Sequence, residues 1–205
     1  VLLSDGMENE PEYWSAVQTD VINSGCPVTT IAFGPESNET LMQDIAMATG
    51  GLSFYNDVYV STTLAEGNSI SAVTPQEADL ALANTYEYAQ ARSAGWQRLL
   101  NEGGSLSREQ LEARHEVLID DSLTEVVFSL DWVAIPDPDF DNLELYLVDP
   151  AGKTYDAGDP GYSFEDLVNK HRGFRIAEPQ PGTWQINVKR VLPMELSSIP
   201  YQVIV

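Results

Sequence analysis

Apolar and polar positions follow two different patterns along the chain, and the change falls near residue 105. Before it, short apolar or β-branched runs alternate with segments whose apolar residues recur every three or four positions. That order predicts strands alternating with helices and a parallel sheet. After it, alternating runs follow one another with turn residues between them, which is typical of an antiparallel β-sandwich. We therefore predict an α/β part at 1–104 and an all-β part at 105–205.

The first part contains three predicted strands and three predicted helices. A cap at Ser37 or Asn38 and glycines at 50–51 mark the ends of the second helix. The glycines at 103–104 are expected to end the third helix, and 56–73 is interpreted as an inserted loop. The predicted strands are 1–4, 27–34 and 52–55, and the predicted helices are 12–24, 38–49 and 75–100.

The second part is predicted to be a run of short strands. In 125–133 the apolar set Val126, Phe128, Leu130 and Trp132 occupies every second position, so this face is expected to be buried. One turn of helix at 163–169 is the exception to the strand pattern. The predicted strands are 110–119, 125–133, 143–148, 174–176, 182–188 and 201–205.

Three short motifs in the first part follow one another in a characteristic order. They are Leu-Leu-Ser-Asp-Gly at 2–6, Gly-Cys-Pro-Val-Thr-Thr-Ile-Ala-Phe-Gly at 25–34, and Leu-Met-Gln-Asp-Ile-Ala-Met-Ala-Thr-Gly-Gly at 41–51. In this order and spacing, 1–55 resembles the C-terminal half of a von Willebrand factor type A domain. The resemblance implies part of a doubly wound parallel sheet, here its last three strands, and a larger protein that extends upstream of Val1.

The same resemblance implies a metal-ion-dependent adhesion site. Asp5 matches the aspartate that the third loop of such a site contributes to Mg²⁺, Mn²⁺ or Ca²⁺. The first two loops would lie upstream, so the site is expected to be incomplete here, because a hard cation needs about six oxygen ligands. Strand 1–4 would normally pair with the missing first strand. We therefore expect it to pair with a separate upstream fragment or with a second copy of the chain.

Turn motifs in the second part resemble those of two other groups. Asp-Ser-Leu-Thr at 121–124, the Asp-Pro-Ala-Gly turn within 147–155, and Pro-Gly-Thr-Trp at 181–184 resemble the β-sandwich behind the type A domain in the calcium-activated chloride channel regulator family. They are also similar to bacterial pre-peptidase C-terminal domains. These motifs concern turns, so they imply a fold rather than an activity.

A second metal candidate is the acidic segment around residue 139. Asp137, Asp139 and Asp141 alternate as in the start of a calcium loop. The glycine and the twelfth-position glutamate of that loop are absent. Calcium sites in sandwich loops do not need that consensus, and Asp149, Asp156 or Asp159 are the candidates to complete one here. The alternative is a solvated acidic loop, which the failed consensus favours.

Composition narrows the partners and the chemistry. The 32 acidic and 10 basic side chains give a formal net charge of −22, which disfavours nucleic acid and anionic membranes and favours cations or basic partners. No segment is apolar enough to span a membrane, and a secreted or cell-surface location is expected. Cys26, the single cysteine, is expected to be buried.

No catalytic motif is recognisable in the chain. The two histidines, His115 and His171, lie in separate segments outside any His-Glu-x-x-His motif. His115 is expected to be an exposed strand residue, and His171 to belong to a small basic patch with Lys170 and Arg172. The preferred interpretation is a non-enzymatic extracellular module that binds a protein ligand with the help of a metal. The alternative is an accessory segment of a secreted hydrolase, such as a metalloprotease-like enzyme, that aids folding, secretion or substrate contact.

Overall fold

The computed structural model describes residues 1–4, 13–34, 36–56, 75–133, 139–159, 163–166 and 170–205. These residues form two compact units, 1–97 and 98–205. The first unit contains β1 (Leu2–Ser4), α1 (Trp14–Asn23), β2 (Thr30–Phe33), α2 (Glu39–Thr49), β3 (Ser53–Asn56) and α3 (Pro75–Ser93). Of the loop predicted at 56–73, Asn56 is the last residue of β3, and 57–73 lie outside the described residues, as does Asp5.

Three parallel strands in the order β1–β2–β3 form the sheet of the first unit. The Thr30 hydroxyl donates to the Met42 carbonyl of α2 at 2.9 Å, whereas Thr29, on the other side of the strand, bonds to Ser93 of α3 at 2.7 Å. Because successive strand residues point to opposite faces, α2 and α3 cover opposite faces of the sheet. Parallel strands alternating with helices were predicted, and the structure shows this arrangement. That the unit is half of a type A domain stays a prediction.

Two details of the first unit differ from the prediction. Cys26 is exposed rather than buried, because Gly25 turns the chain with φ 69° and β2 begins only at Thr30. Helix α3 ends at Ser93, before the predicted residue 100. Its end is a glycine turn, in which Gly95 has φ 78° and the Trp96 amide donates back to the Ala91 carbonyl at 2.8 Å.

The second unit is built from antiparallel strands. One sheet has the order β4–β12–β6–β10–β9 and the other the order β5–β11–β7–β8. The strands are β4 (Asn101–Ser107), β5 (Glu112–Ile119), β6 (Glu125–Trp132), β7 (Leu143–Val148), β8 (Thr154–Tyr155), β9 (Ser163–Asp166), β10 (His171–Ala177), β11 (Gly182–Arg190) and β12 (Ser198–Ile204).

Inward-facing residues of both sheets form one hydrophobic cluster. Phe128 of β6 and Trp184 of β11 meet there with ring centroids 5.3 Å apart, and both are fully buried. The alternating apolar set of β6 is buried as predicted. A core shared by two antiparallel sheets is the arrangement of a β-sandwich.

Two segments of the second unit were predicted incorrectly. Gly103 and Gly104 lie in β4 rather than at a helix end, and a Cβ at Gly104 would lie 2.4 Å from the Tyr201 hydroxyl of the neighbouring strand. The predicted helical turn at 163–169 is strand β9 over its described part. There Phe164 packs so closely over Gly173 that a Cβ would lie 2.2 Å from its ring. Both glycines serve cross-strand packing, which a local pattern does not contain.

Candidate functional site

Asp5, the residue with the strongest family-based expectation, follows β1 directly in sequence but lies outside the described residues. The metal expectation for it therefore stays a prediction. What the structure describes is the strand before it. β1 pairs with β2, and among the described residues no strand lies along its other edge. The side chains of Val1, Leu2 and Leu3 are 59%, 40% and 47% exposed.

The acidic loop around residue 139 is organised by a buried ion pair. Asp141 and Arg190 are almost fully buried, and the guanidinium Nη2 lies 2.6 Å from Asp141 Oδ1. The Asp141 carboxylate also accepts hydrogen bonds from the Glu195 and Leu196 amides at 3.0–3.2 Å. Its oxygens are thus already engaged by four donor contacts, which leaves little room for a cation. Asp139 is exposed, and Asp137 lies outside the described residues.

Lys170 supplies a second internal cation to the same loop. Its side chain is nearly buried, and Nζ donates to the Phe140 carbonyl at 2.8 Å and to Asn142 Oδ1 at 3.1 Å. A calcium ion would seek such carbonyl and amide oxygens, and here the Lys170 ammonium group occupies them. Calcium at Asp137 and Asp139 stays a prediction, whereas Asp141 is already paired with Arg190.

The three aspartates proposed to complete that site stabilise turns instead. Asp149 is buried and accepts from the Ala151 and Lys153 amides at 2.9 Å each. Asp156 Oδ1 accepts from the Gly158 amide at 2.8 Å, and Asp159 Oδ2 accepts from the Asp156 amide at 3.2 Å. This is the Asx-type turn chemistry of short polar side chains, so these carboxylates act locally.

His115 is held in a cluster that links the two sheets, and it is not the exposed residue we predicted. Its side chain is only 10% exposed. Nδ1 lies 2.6 Å from Glu102 Oε2, and Nε2 lies 2.9 Å from the Tyr201 hydroxyl. Because a carboxylate can only accept, Nδ1–H donates to Glu102, and in the neutral imidazole Nε2 accepts from Tyr201. Burial, with a smaller effect of the Glu102 charge, raises the pKa of Tyr201 above its ordinary value of 10.0.

His171 does not form the predicted basic patch either. Its Nδ1 lies 2.8 Å from Asp131 Oδ1, and its ring stacks on Phe164 at a centroid distance of 5.2 Å. Arg172 pairs with Glu165 at 3.2 Å. Each of these basic residues therefore faces its own acceptor. The Asp131–His171 pair joins residues 40 positions apart. The only sign of it in the sequence is Asp131 itself, a polar residue of β6 that alternates with the apolar set.

Basic side chains are distributed unevenly between residues 1–97 and 98–205. Residues 1–97 contain 13 Asp and Glu side chains and one basic side chain, Arg92. The other basic residues lie in 98–205, where several of them are paired or buried. Within the described part of the chain, no helix is both long and apolar enough to cross a membrane.

No family model and no curated protein matches the chain. Among solved structures, the propeptide form of the Bacillus licheniformis lipase BlEst2 aligns at 15% identity and TM-score 0.37, over 53% of this chain and 21% of that one. Aeromonas hydrophila PliG, a periplasmic inhibitor of g-type lysozyme, aligns at 13% and 0.32, over 51% and 82%.

A third solved structure, Pseudomonas aeruginosa AlgX, aligns at 11% identity and TM-score 0.36, over 88% of this chain and 49% of that one. The chain thus spans about a fifth of the lipase and half of AlgX. At these TM-scores the similarities carry no functional argument.

Proposed function

We propose that the chain is a non-enzymatic module that binds another polypeptide along the edge of β1 that no described strand covers. The observation that carries the proposal is the edge itself. The Leu2 amide donates to the carbonyl of Thr29, just before β2, at 2.7 Å, so by strand alternation the Leu3 amide and carbonyl point away from β2. A strand edge that no described residue pairs with, and that carries exposed leucines, is a template for strand addition.

The edge of β1 is short, which limits the binding free energy that it can provide by itself. Covering the exposed parts of Leu2 and Leu3 contributes about 1 kcal/mol each, and each new backbone hydrogen bond contributes about 1 kcal/mol. Micromolar binding requires about 8 kcal/mol. The partner must therefore cover more than the strand. Helix α1 offers further surface, because none of its residues is buried, although it carries Trp14, Val17 and Val21.

Charge favours a partner other than a second copy. In a dimer of two first units, each copy would contribute 13 acidic side chains and only one basic side chain, Arg92. Like charges at short range oppose association. A separate fragment that completes the type A domain, or a ligand with basic side chains, avoids that repulsion. In the intact protein we propose that Asp5 contributes to a Mg²⁺ or Ca²⁺ adhesion site for a protein ligand, at a secreted or cell-surface location.

Sedimentation velocity tests whether the edge of β1 mediates association. In about 1 M salt the Debye length falls to about 3 Å, so copy-to-copy repulsion is screened. We expect self-association there and a monomer in low salt. Leu3→Lys should abolish the association, whereas Leu118→Lys, at a residue 70% exposed in the second unit, should not. A monomer under both conditions, with a Leu3 amide that exchanges freely, would contradict the proposal.

Asp5 has a separate test in the intact protein. If the adhesion site forms, Asp5→Ala should remove Mg²⁺-dependent ligand binding and leave the sandwich unfolding unchanged. Ligand binding that resists both chelation and Asp5→Ala would show that the interaction is independent of this metal.

A further inference from the structure

The solvent-facing side of the β5–β11–β7–β8 sheet carries an ordered set of polar and aromatic side chains. On β11, the buried Trp184, Ile186 and Val188 alternate with outward-facing Gln185, Asn187 and Lys189. In the strand register, Asn187 lies opposite Tyr146 of β7, and Lys189 lies opposite Glu144. Tyr146, Gln185 and Asn187 are half-buried, so their positions are restricted by their neighbours.

Two primary amides on this face have no partner among the described residues. Neither Gln185 nor Asn187 makes a side-chain hydrogen bond there. Each offers two N–H donors and a carbonyl acceptor, and two strand positions place them about 7 Å apart. Such amides, next to a tyrosine, form a planar array that can both donate to and accept from hydroxyl groups.

A groove continues this array past the edge of β7. Strand β8 has only two residues and pairs with Leu147 and Val148, so no described strand lies beside the preceding part of β7. The groove left there has a volume of about 380 Å³ and is lined by Glu144, Tyr146, Thr154, Asp156, Arg172 and Lys189, among others. This volume suits a small ligand.

Arg172 adds a cation to the lining of the groove. It lines this groove and an adjoining hollow of about 130 Å³. Its guanidinium pairs with Glu165 at 3.2 Å. Its Nε is closed to solvent and has no hydrogen-bond partner among the described residues, so a ligand in the groove does not contact that atom.

The charged side chains around the groove limit which kind of hydroxyl-rich ligand can bind. Lys189 lies 4.0 Å from Glu112, and Glu144 and Asp156 also line the groove, so the two cations are already balanced by carboxylates. With a net charge of −22 on the chain, a polyanion is repelled. The ligand class that remains is neutral and rich in hydroxyl groups.

We propose that this face and groove bind a neutral oligosaccharide. The Tyr146 ring lies against the apolar face of a sugar ring, and the Gln185 and Asn187 amides bond its hydroxyl groups. Strand β11 holds the amides rigidly because its alternate residues are locked in the core, so little ordering is needed on binding. This site is separate from the β1 edge.

The test is a titration of the isotopically labelled full chain with four neutral probes, followed by NMR. The probes are the β-1,4-linked hexasaccharides of glucose, xylose, mannose and N-acetylglucosamine, each to 5 mM. At least one should shift amide signals of β7 and β11. Tyr146→Ala and the double variant Gln185→Ala/Asn187→Ala should each weaken that binding about tenfold or more.

Thr183→Ala is the matched control, because it also faces outward on β11 but lies opposite Leu118, beyond the array. It should bind like the wild type, and circular dichroism should show that every variant folds. The proposal is overturned if none of the four probes binds, if Tyr146→Ala and the double variant bind as tightly as Thr183→Ala, or if an oligogalacturonate of equal length binds better than the neutral probes.

Discussion

The buried Asp141–Arg190 pair is expected to make a large contribution to the stability of the second unit. Arg190 also donates to the carbonyl oxygens of Leu106, Leu196 and Ser197 at 2.6–3.3 Å, so it joins β4 and the 195–197 segment to the acidic loop. Replacing it with methionine leaves a fully buried carboxylate without its cation. Removing one partner of such a pair costs about 3–5 kcal/mol.

That loss is large relative to the stability of such a unit. At about 0.05–0.15 kcal/mol per residue, a unit of this size is stable by roughly 5–16 kcal/mol. We therefore expect Arg190→Met to lower the melting temperature by about 12 °C or more. The double variant Asp141→Asn/Arg190→Met should lose clearly less than the sum of the two single variants, because it leaves no unpaired charge.

Urea denaturation followed by tryptophan fluorescence measures this cycle. Trp132 is a suitable reporter, since its indole donates to the Asp141 carbonyl at 3.1 Å. Arg175→Met is the matched control, because Arg175 pairs with Glu125 on the surface and is 62% exposed. It should cost about 1 kcal/mol or less. An Arg190→Met loss no larger than that control, or additive single and double variants, would refute the reasoning.

Three further outcomes follow from the described contacts. The pKa of Tyr201 is raised in the folded state, so its contribution to the free energy of unfolding is present below pH 10 and is lost as the pH rises through the folded pKa. Tyr201→Phe should therefore reduce the loss of stability at alkaline pH. An unchanged dependence of stability on pH would contradict this. Because the Asp141 carboxylate is already engaged by Arg190 and by the Glu195 and Leu196 amides, 1 mM Ca²⁺ should leave the melting temperature unchanged; a rise that Asp139→Asn abolishes would instead establish a calcium site. The exposed Cys26 should react with a thiol reagent in the native protein nearly as fast as in denaturant, and protection would show that it is covered.

The sequence alone was enough for the order and type of most elements. Apolar periodicity located the three helices and the inward face of β6, because one buried side of an element leaves a regular local trace. The sequence offers Ser37 or Asn38 as the cap of α2, and in the structure it is the Asn38 side chain that accepts from the Leu41 amide at 3.0 Å. Local chemistry of this kind depends on residues within one or two turns of each other.

The tertiary structure decided which polar residues meet. The acidic neighbours of Asp141 make it a candidate calcium ligand in the sequence, yet in the fold it faces Arg190, 49 positions away. Lys170 and His171 looked like a surface patch, but they reach Asn142 and Asp131 across the fold. A buried charge must be paired, and its partner is set by strand register, which brings distant residues together and leaves no trace in the local pattern.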